Sequence, residues 1–170
     1  MSTRFGSTDT PGLLRELLAR GVDFVVVGGI AAVLHGSPRV TQDLDVCFAT
    51  DVGNFDALGA ALVALDAKLA GVDEDVPFVP DARALRRIMT LTLETSMGRL
   101  DALAAPTGAP PYGDLRARAD RYDIGGAFVL VASLDDLIAM KRASGRPKDL
   151  ADVAELSLIR ERREVRRPPL

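Results

Sequence analysis

Residues 25–46 read VVVGGIAAVLHGSPRVTQDLDV, and the fold is decided inside this stretch. Phe24–Val27 is an unbroken apolar run, which predicts a strand buried on both faces. Gly28-Gly29 breaks it, and Ile30–His35 reads as a short helix closed by Gly36 and Pro38. Asp43-Leu44-Asp45 then enters a second strand, Leu44–Phe48. A side-chain period of two puts Asp43 and Asp45 on one face of it, and Leu44, Val46 and Phe48 on the other.

Working outward, Thr10-Pro11 reads as cap and first residue of a helix carrying Leu13, Leu14, Leu17 and Leu18, stopped by Gly21. Asp51 caps a further helix over Val52–Asp66. Val72–Pro80 is an acidic, proline-punctuated loop, and Ala82–Arg87 is a turn or two of helix. Ile88–Thr95 alternates, with Ile88, Thr90 and Thr92 facing one way and Met89, Leu91 and Leu93 the other. Ser96-Met97-Gly98 turns it into a return strand, Arg99–Ala104. Leu115–Asp120 is helical, and Tyr122–Ile124 with Phe128–Val131 flank Gly125-Gly126 as a second hairpin. Ser133, Asp135 and Asp136 open a helix that ends at Ser144-Gly145. Pro147 starts the last helix, which runs to about Ile159. This order predicts an α+β fold, a mixed β-sheet with helices packed on it. A single domain, 11–160, lies between a flexible tail, 1–10, and a basic tail, 161–170.

Composition narrows the function. The chain has 170 residues, 48% hydrophobic and 26% charged, which is globular composition. Aromatics are 5% with no Trp, which argues against a surface that stacks many bases. A net charge of −3 forces no broad basic face onto duplex nucleic acid. One Cys allows no intrachain disulfide, which suits a cytoplasmic protein. No apolar run approaches the ~20 residues of a membrane span.

Three features converge on one chemistry. Glycines at Gly28-Gly29 let a ligand approach the backbone where a helix begins, an arrangement that suits phosphate. Asp43 and Asp45 are like charges held close on a rigid strand, and hard oxygen ligands so placed suit Mg²⁺. Asp101 interrupts an apolar strand, and burial there demands a partner. Around them, Arg39 reads as a phosphate contact or a solvated loop residue, with Ser37 and Thr41 as neighbouring candidates. His35 ends a helix and reads as a cap, and Cys47 as a small buried filler. Leu134, Leu137, Ile138 and Lys141 share one helical face, so Lys141 needs a partner: Asp149, Asp152 or a triphosphate. The run from Arg160 to Arg167 reads as a solvated terminus.

These residues resemble the nucleotidyltransferase superfamily in its minimal, polymerase-beta-like form. Val27-Gly28-Gly29, thirteen further residues, and Asp43-Leu44-Asp45-Val46 match its two leading motifs, and Asp101 matches its third carboxylate. The wider phrase, with Asp136–Lys141 and Arg146–Asp152, looks like the bacterial branch that includes AbiEii-type toxins. The resemblance implies a Mg²⁺-dependent transfer of a nucleoside monophosphate from a nucleoside triphosphate to an acceptor hydroxyl. It assigns Asp43, Asp45 and Asp101 to two metal ions. Gly28 and Gly29 fall to the phosphates, and Ser37, Arg39, Thr41 and Lys141, read from the residues themselves, are the further nucleotide-binding candidates. The acceptor is an RNA such as tRNA, a protein, or a small molecule of the aminoglycoside type, and a toxin role would bring an antitoxin partner. The competing reading is a non-catalytic binding module on a degenerate transferase fold. One departure stands out: Gly29 occupies a position where many active members carry a phosphate-contacting Ser.

Overall fold

The structure is a computed structural model that describes residues 8–72 and 78–166. The central pair of strands, β1 (Phe24–Val27) and β2 (Leu44–Phe48), runs antiparallel, with Val27 opposite Asp45 and Val26 opposite Val46. Each member of that pair is extended by a hairpin. β2 pairs in parallel with β5 (Gly98–Leu103), which turns back onto β4 (Thr90–Thr95) and the two-residue edge strand β3 (Lys68–Leu69). β1 pairs in parallel with β7 (Phe128–Val131), which turns back onto β6 (Asp120–Asp123). The result is a seven-stranded mixed sheet in the order β3-β4-β5-β2-β1-β7-β6, with helices packed on it. The α+β expectation is met.

The burial pattern follows the alternation. Leu44, Val46, Leu91, Leu93, Leu100 and Ala102 are buried in one cluster with Leu13, Leu14 and Leu17 of α1 (Thr10–Ala19) and Phe55, Leu58 and Leu62 of α3 (Val52–Ala64). Asp51 caps α3 by accepting from the Asn54 amide. The cap of α1 is Asp9, one residue earlier than Thr10, because its carboxylate reaches the Gly12 amide. Ile88 and Met89 precede β4, and Met89 is exposed. Lys68–Leu69 joins the sheet although two residues carry no period to read.

α2 (Gly28–Leu34) starts at Gly28 itself, so the two glycines form its first turn instead of separating it from β1. α4 (Ala82–Leu85) is one turn, and α5 spans Tyr112–Arg118, three residues ahead of the predicted start. α6 (Leu134–Ser144) is capped by Ser133 and ends on Gly145 in the left-handed region. α7 (Pro147–Arg166) continues well past Ile159. Its last turns are held by Arg163, which donates to the His35 carbonyl and to Tyr122. Long-range anchoring of this kind has no local signature, which is why the stretch reads as a solvated terminus in sequence. Residues 1–7, 73–77 and 167–170, which include most of the predicted N-terminal tail, part of the acidic loop and the chain end, lie outside the described residues. No described helix is long and apolar enough to cross a membrane.

Candidate active site

A cavity of about 380 Å³ opens where α2, β2 and β5 meet α6 and α7. Its first wall is acidic. β2 and β5 run parallel with Asp45 directly opposite Asp101, so the two carboxyls share one face of the sheet. Asp43 lies two residues before Asp45, just ahead of β2, and lines the same cavity. Burial, the Asp101 carboxyl and, more weakly, Asp43 push the Asp45 carboxyl up to about 7, against a smaller pull from Lys141. Oδ1 of Asp101 is buried with no hydrogen-bond partner. This wall therefore sets like charges against each other and leaves a buried acceptor unsatisfied.

Both features are what a bound cation would relieve, and three carboxylates are the hard-oxygen set that suits Mg²⁺. Among the described residues, no three Asp, Glu, His or Cys side chains are placed closely enough to hold a metal ion together, so Asp43 does not complete a three-carboxylate set with Asp45 and Asp101 in this geometry. On these observations it is the Asp45–Asp101 pair, with its buried unpartnered oxygen, that fits a divalent metal.

The opposite wall is cationic and already compensated. Lys141 Nζ donates to Asp152 Oδ2 at 2.9 Å and to Asp149 Oδ1 at 3.2 Å. The other Asp149 oxygen accepts from Arg146 Nε at 2.6 Å and from Ser144 Oγ at 2.7 Å. Burial opposes the Asp149 charge, but Arg146, Ser144 and Lys141 outweigh it and hold the carboxyl down at about 2. Arg39 Nη1 donates to Asp152 Oδ1, an ion pair across 113 residues of chain. Arg39 keeps a side chain 41% exposed, as a loop residue would, while its guanidinium is paired with Asp152 of α7 at the cavity wall. Lys141 is paired with Asp149 and Asp152, as its helical face requires.

Gly28, Gly29 and Thr41 line the same cavity. Gly28 has φ +66°, and a Cβ there would stand 2.2 Å from Asp45 Oδ2. A Cβ at Gly29 would stand 2.9 Å from the Thr41 hydroxyl oxygen. A serine at position 29 would thus collide with Thr41, which gives a steric reason for glycine in this chain. Ser37 is not among the cavity-lining residues; it is buried, and its Oγ accepts from the Arg39 amide at 3.3 Å. It shapes the turn that delivers Arg39.

His35 is no part of the cavity, and its side chain does not cap its own helix. Nε2 lies 2.8 Å from the Ala132 carbonyl, and Nδ1 lies 2.9 Å from the Tyr122 hydroxyl and 3.0 Å from Arg163. Burial lowers its pKa below the ordinary 6.5. Neutral imidazole donates from Nε2 and accepts at Nδ1, so His35 bolts α2 to β6, β7 and α7. Cys47 is a buried filler whose thiol is pushed up to about 12 by burial. Ser144 and the Arg39–Asp152 link escape sequence reading. For Arg146, the Arg-Pro-Lys-Asp spacing at a helix start is the available signal.

The chain matches the family described as "Nucleotidyltransferase of unknown function (DUF6036)" over residues 13–162. The chain belongs to this family. The nucleotidyltransferase shares its fold with solved adenylyltransferases. Lincosamide antibiotic adenylyltransferase LnuA, with lincomycin bound, superposes with a TM-score of 0.57 at 17% identity, covering 89% of this chain and 98% of that one. The antibiotic-resistance factor ANT(2'')-Ia in solution gives 0.55 at 17% identity, over 95% and 94% of the two chains. The same factor in complex with adenylyl-2''-tobramycin gives 0.53 at 17%, over 94% and 99%. No curated protein matches the nucleotidyltransferase in sequence. The superfamily and the transferase class inferred from the motifs are thereby established, and the matching family's description carries no toxin designation.

Proposed function

We propose that this nucleotidyltransferase moves a nucleoside monophosphate from a nucleoside triphosphate to an acceptor hydroxyl, with two Mg²⁺ ions at Asp43, Asp45 and Asp101. The observation that carries the reading is the parallel register of Asp45 with Asp101, facing a cavity whose other wall bears Arg39 and Lys141. The acceptor oxygen attacks the α-phosphorus, and the bond from that phosphorus to the bridging oxygen breaks, releasing pyrophosphate. Metal bound at the three carboxylates would supply charge stabilisation to both oxygens. Asp101 Oδ1, buried and unpartnered, receives the acceptor proton. The donors of Arg39 and Lys141 face the triphosphate charge, and the side-chain-free Gly28 and Gly29 leave backbone open to it.

A small hydroxylated acceptor is favoured by one observation: LnuA and ANT(2'')-Ia, named for lincosamide adenylylation and for antibiotic resistance, share the fold over nearly their whole length. The test incubates the protein and Mg²⁺ with each labelled nucleoside triphosphate against three acceptor fractions: total RNA, total protein, and hydroxylated small molecules. Pyrophosphate release with label in the small-molecule fraction is expected. Label in RNA or protein, with growth arrest on expression of wild type but not of Asp45→Asn, would move the assignment to the toxin-type role. Absence of pyrophosphate release under every condition would leave the binding-module reading.

A further inference from the structure

Asp152 sits on α7 with a side chain only 7% exposed, and it joins three separate segments. Its Oδ2 accepts from Lys141 of α6 at 2.9 Å, and its Oδ1 accepts from Arg39 in the coil between α2 and β2. The two cations are not equally secured. Lys141 has a second anchor in Asp149. Among the described residues, Asp152 is the one ion-pair partner of Arg39. The Arg39 side chain is 41% exposed, and its neighbour Val40 is 93% exposed, so little packing restrains this stretch. A guanidinium has five N–H donors in a rigid fork. Once Asp152 has taken Nη1, the remaining donors have no partner among the described residues, and Arg39 lines the cavity.

We infer that Asp152 is a positioning residue for the phosphate end of the donor: it holds Arg39 and Lys141 as a preformed pair of cations. The inference rests on the triphosphate site proposed above. It makes a prediction opposite in sign to simple charge counting. Asp152 is an anion beside an anion-binding wall, so by Coulomb's law alone its removal should tighten triphosphate binding. If its work is to orient Arg39, removal leaves a long, rotamer-rich side chain that the ligand must immobilise itself, and binding weakens.

Calorimetric titration of the full chain with inorganic tripolyphosphate and Mg²⁺ decides between them, with thermal melts confirming that each variant is folded. Asp152→Asn is expected to bind about 10-fold more weakly, on the scale of one hydrogen bond to a charged group. Asp152→Glu, which keeps the carboxylate, should recover part of the loss. Arg39→Gln should lose a similar factor, and the double variant should be no weaker than the weaker single one. In transfer assays the KM for nucleotide should rise in Asp152→Asn with little change in kcat. Equal or tighter binding by Asp152→Asn overturns the inference while leaving the triphosphate site standing. Should Asp152→Asn fail to fold, wild-type binding by Arg39→Gln overturns it instead. If the wild type binds neither tripolyphosphate nor any nucleoside triphosphate, both this inference and the transfer reading fall.

Discussion

The two walls of the cavity are built from the same residue types and behave oppositely. On the strand side, Asp45 and Asp101 face each other without a cation, and the Asp45 carboxyl is pushed up to about 7. On the helix side, Asp149 and Asp152 are at least as buried, yet each holds two cations, and the Asp149 carboxyl is held down at about 2. Burial opposes charge on both sides, and the partners decide the outcome. The difference assigns the work. The helix wall has its charges balanced in advance and so reads as a preset cationic frame, whereas the strand wall is deficient in positive charge and so reads as the place where a cation must enter.

The largest expected effect breaks the strand wall. Asp45→Asn should lower transfer by about 10³-fold, because the charge that would hold metal is gone. The folded state should be unharmed or more stable, since a like-charge contact disappears. Pyrophosphate release and a thermal melt measured together check both halves. Retained activity would mean that the carboxylate pair is not the reactive centre.

Next comes the helix wall. Lys141→Met keeps an apolar stem but removes the shared ammonium. Asp149 retains Arg146 and Asp152 retains Arg39, so the cost should be about 2 kcal/mol, below that of stranding a buried carboxylate outright. Urea unfolding reads it, and an unchanged midpoint would show that this wall is as weakly coupled as a surface ion pair.

Gly28→Ala tests the contact between turn and strand. Its φ of +66° and the 2.2 Å approach to Asp45 Oδ2 predict a loss of about 1–2 kcal/mol. Displacement of Asp45 should lower activity with it.

The walls should also titrate in opposite directions in metal-free protein. The Asp45 carboxyl lies at about 7 in the folded state against an ordinary 3.8, so the folded protein holds the extra proton between those values. Its contribution to stability is therefore present at low pH and lost as pH rises from about 4 to about 7. Asp149, at about 2 against 3.8, contributes stability above pH 4 that is lost as pH falls towards 2. Denaturation across pH 2–8 should show both slopes. Asp45→Asn, or added Mg²⁺, should flatten the upper one alone.

The smallest effect is expected from Arg146→Ala. Its side chain is 71% exposed and Asp149 keeps Lys141 and Ser144, so stability should change by less than about 1 kcal/mol. A larger loss would mean that the helix wall depends on its rim.

What the sequence determined by itself is local. The apolar run Phe24–Val27, the alternation in Leu44–Phe48 and Thr90–Thr95, the Ser133 and Asp51 caps and the Gly145 stop all appear where short-range sterics and hydrogen bonds dictate. So does the half-buried placement of Lys141, because a helical period exposes a misplaced charge without reference to any other element. Asp101 was nameable because Asp in an apolar strand is costly wherever the strand ends up, and Asp43 and Asp45 through their spacing of two and the motif it resembles. Only the tertiary structure decided that β2 and β5 pair in parallel, bringing Asp45 opposite Asp101 across 56 positions of chain. It alone joined Arg39 to Asp152 and carried α7 on to Arg166 through the contacts of Arg163 with His35 and Tyr122. Strand register and ion pairs between distant segments are set by the whole core at once. No window of residues contains the partner whose burial and charge settle the geometry.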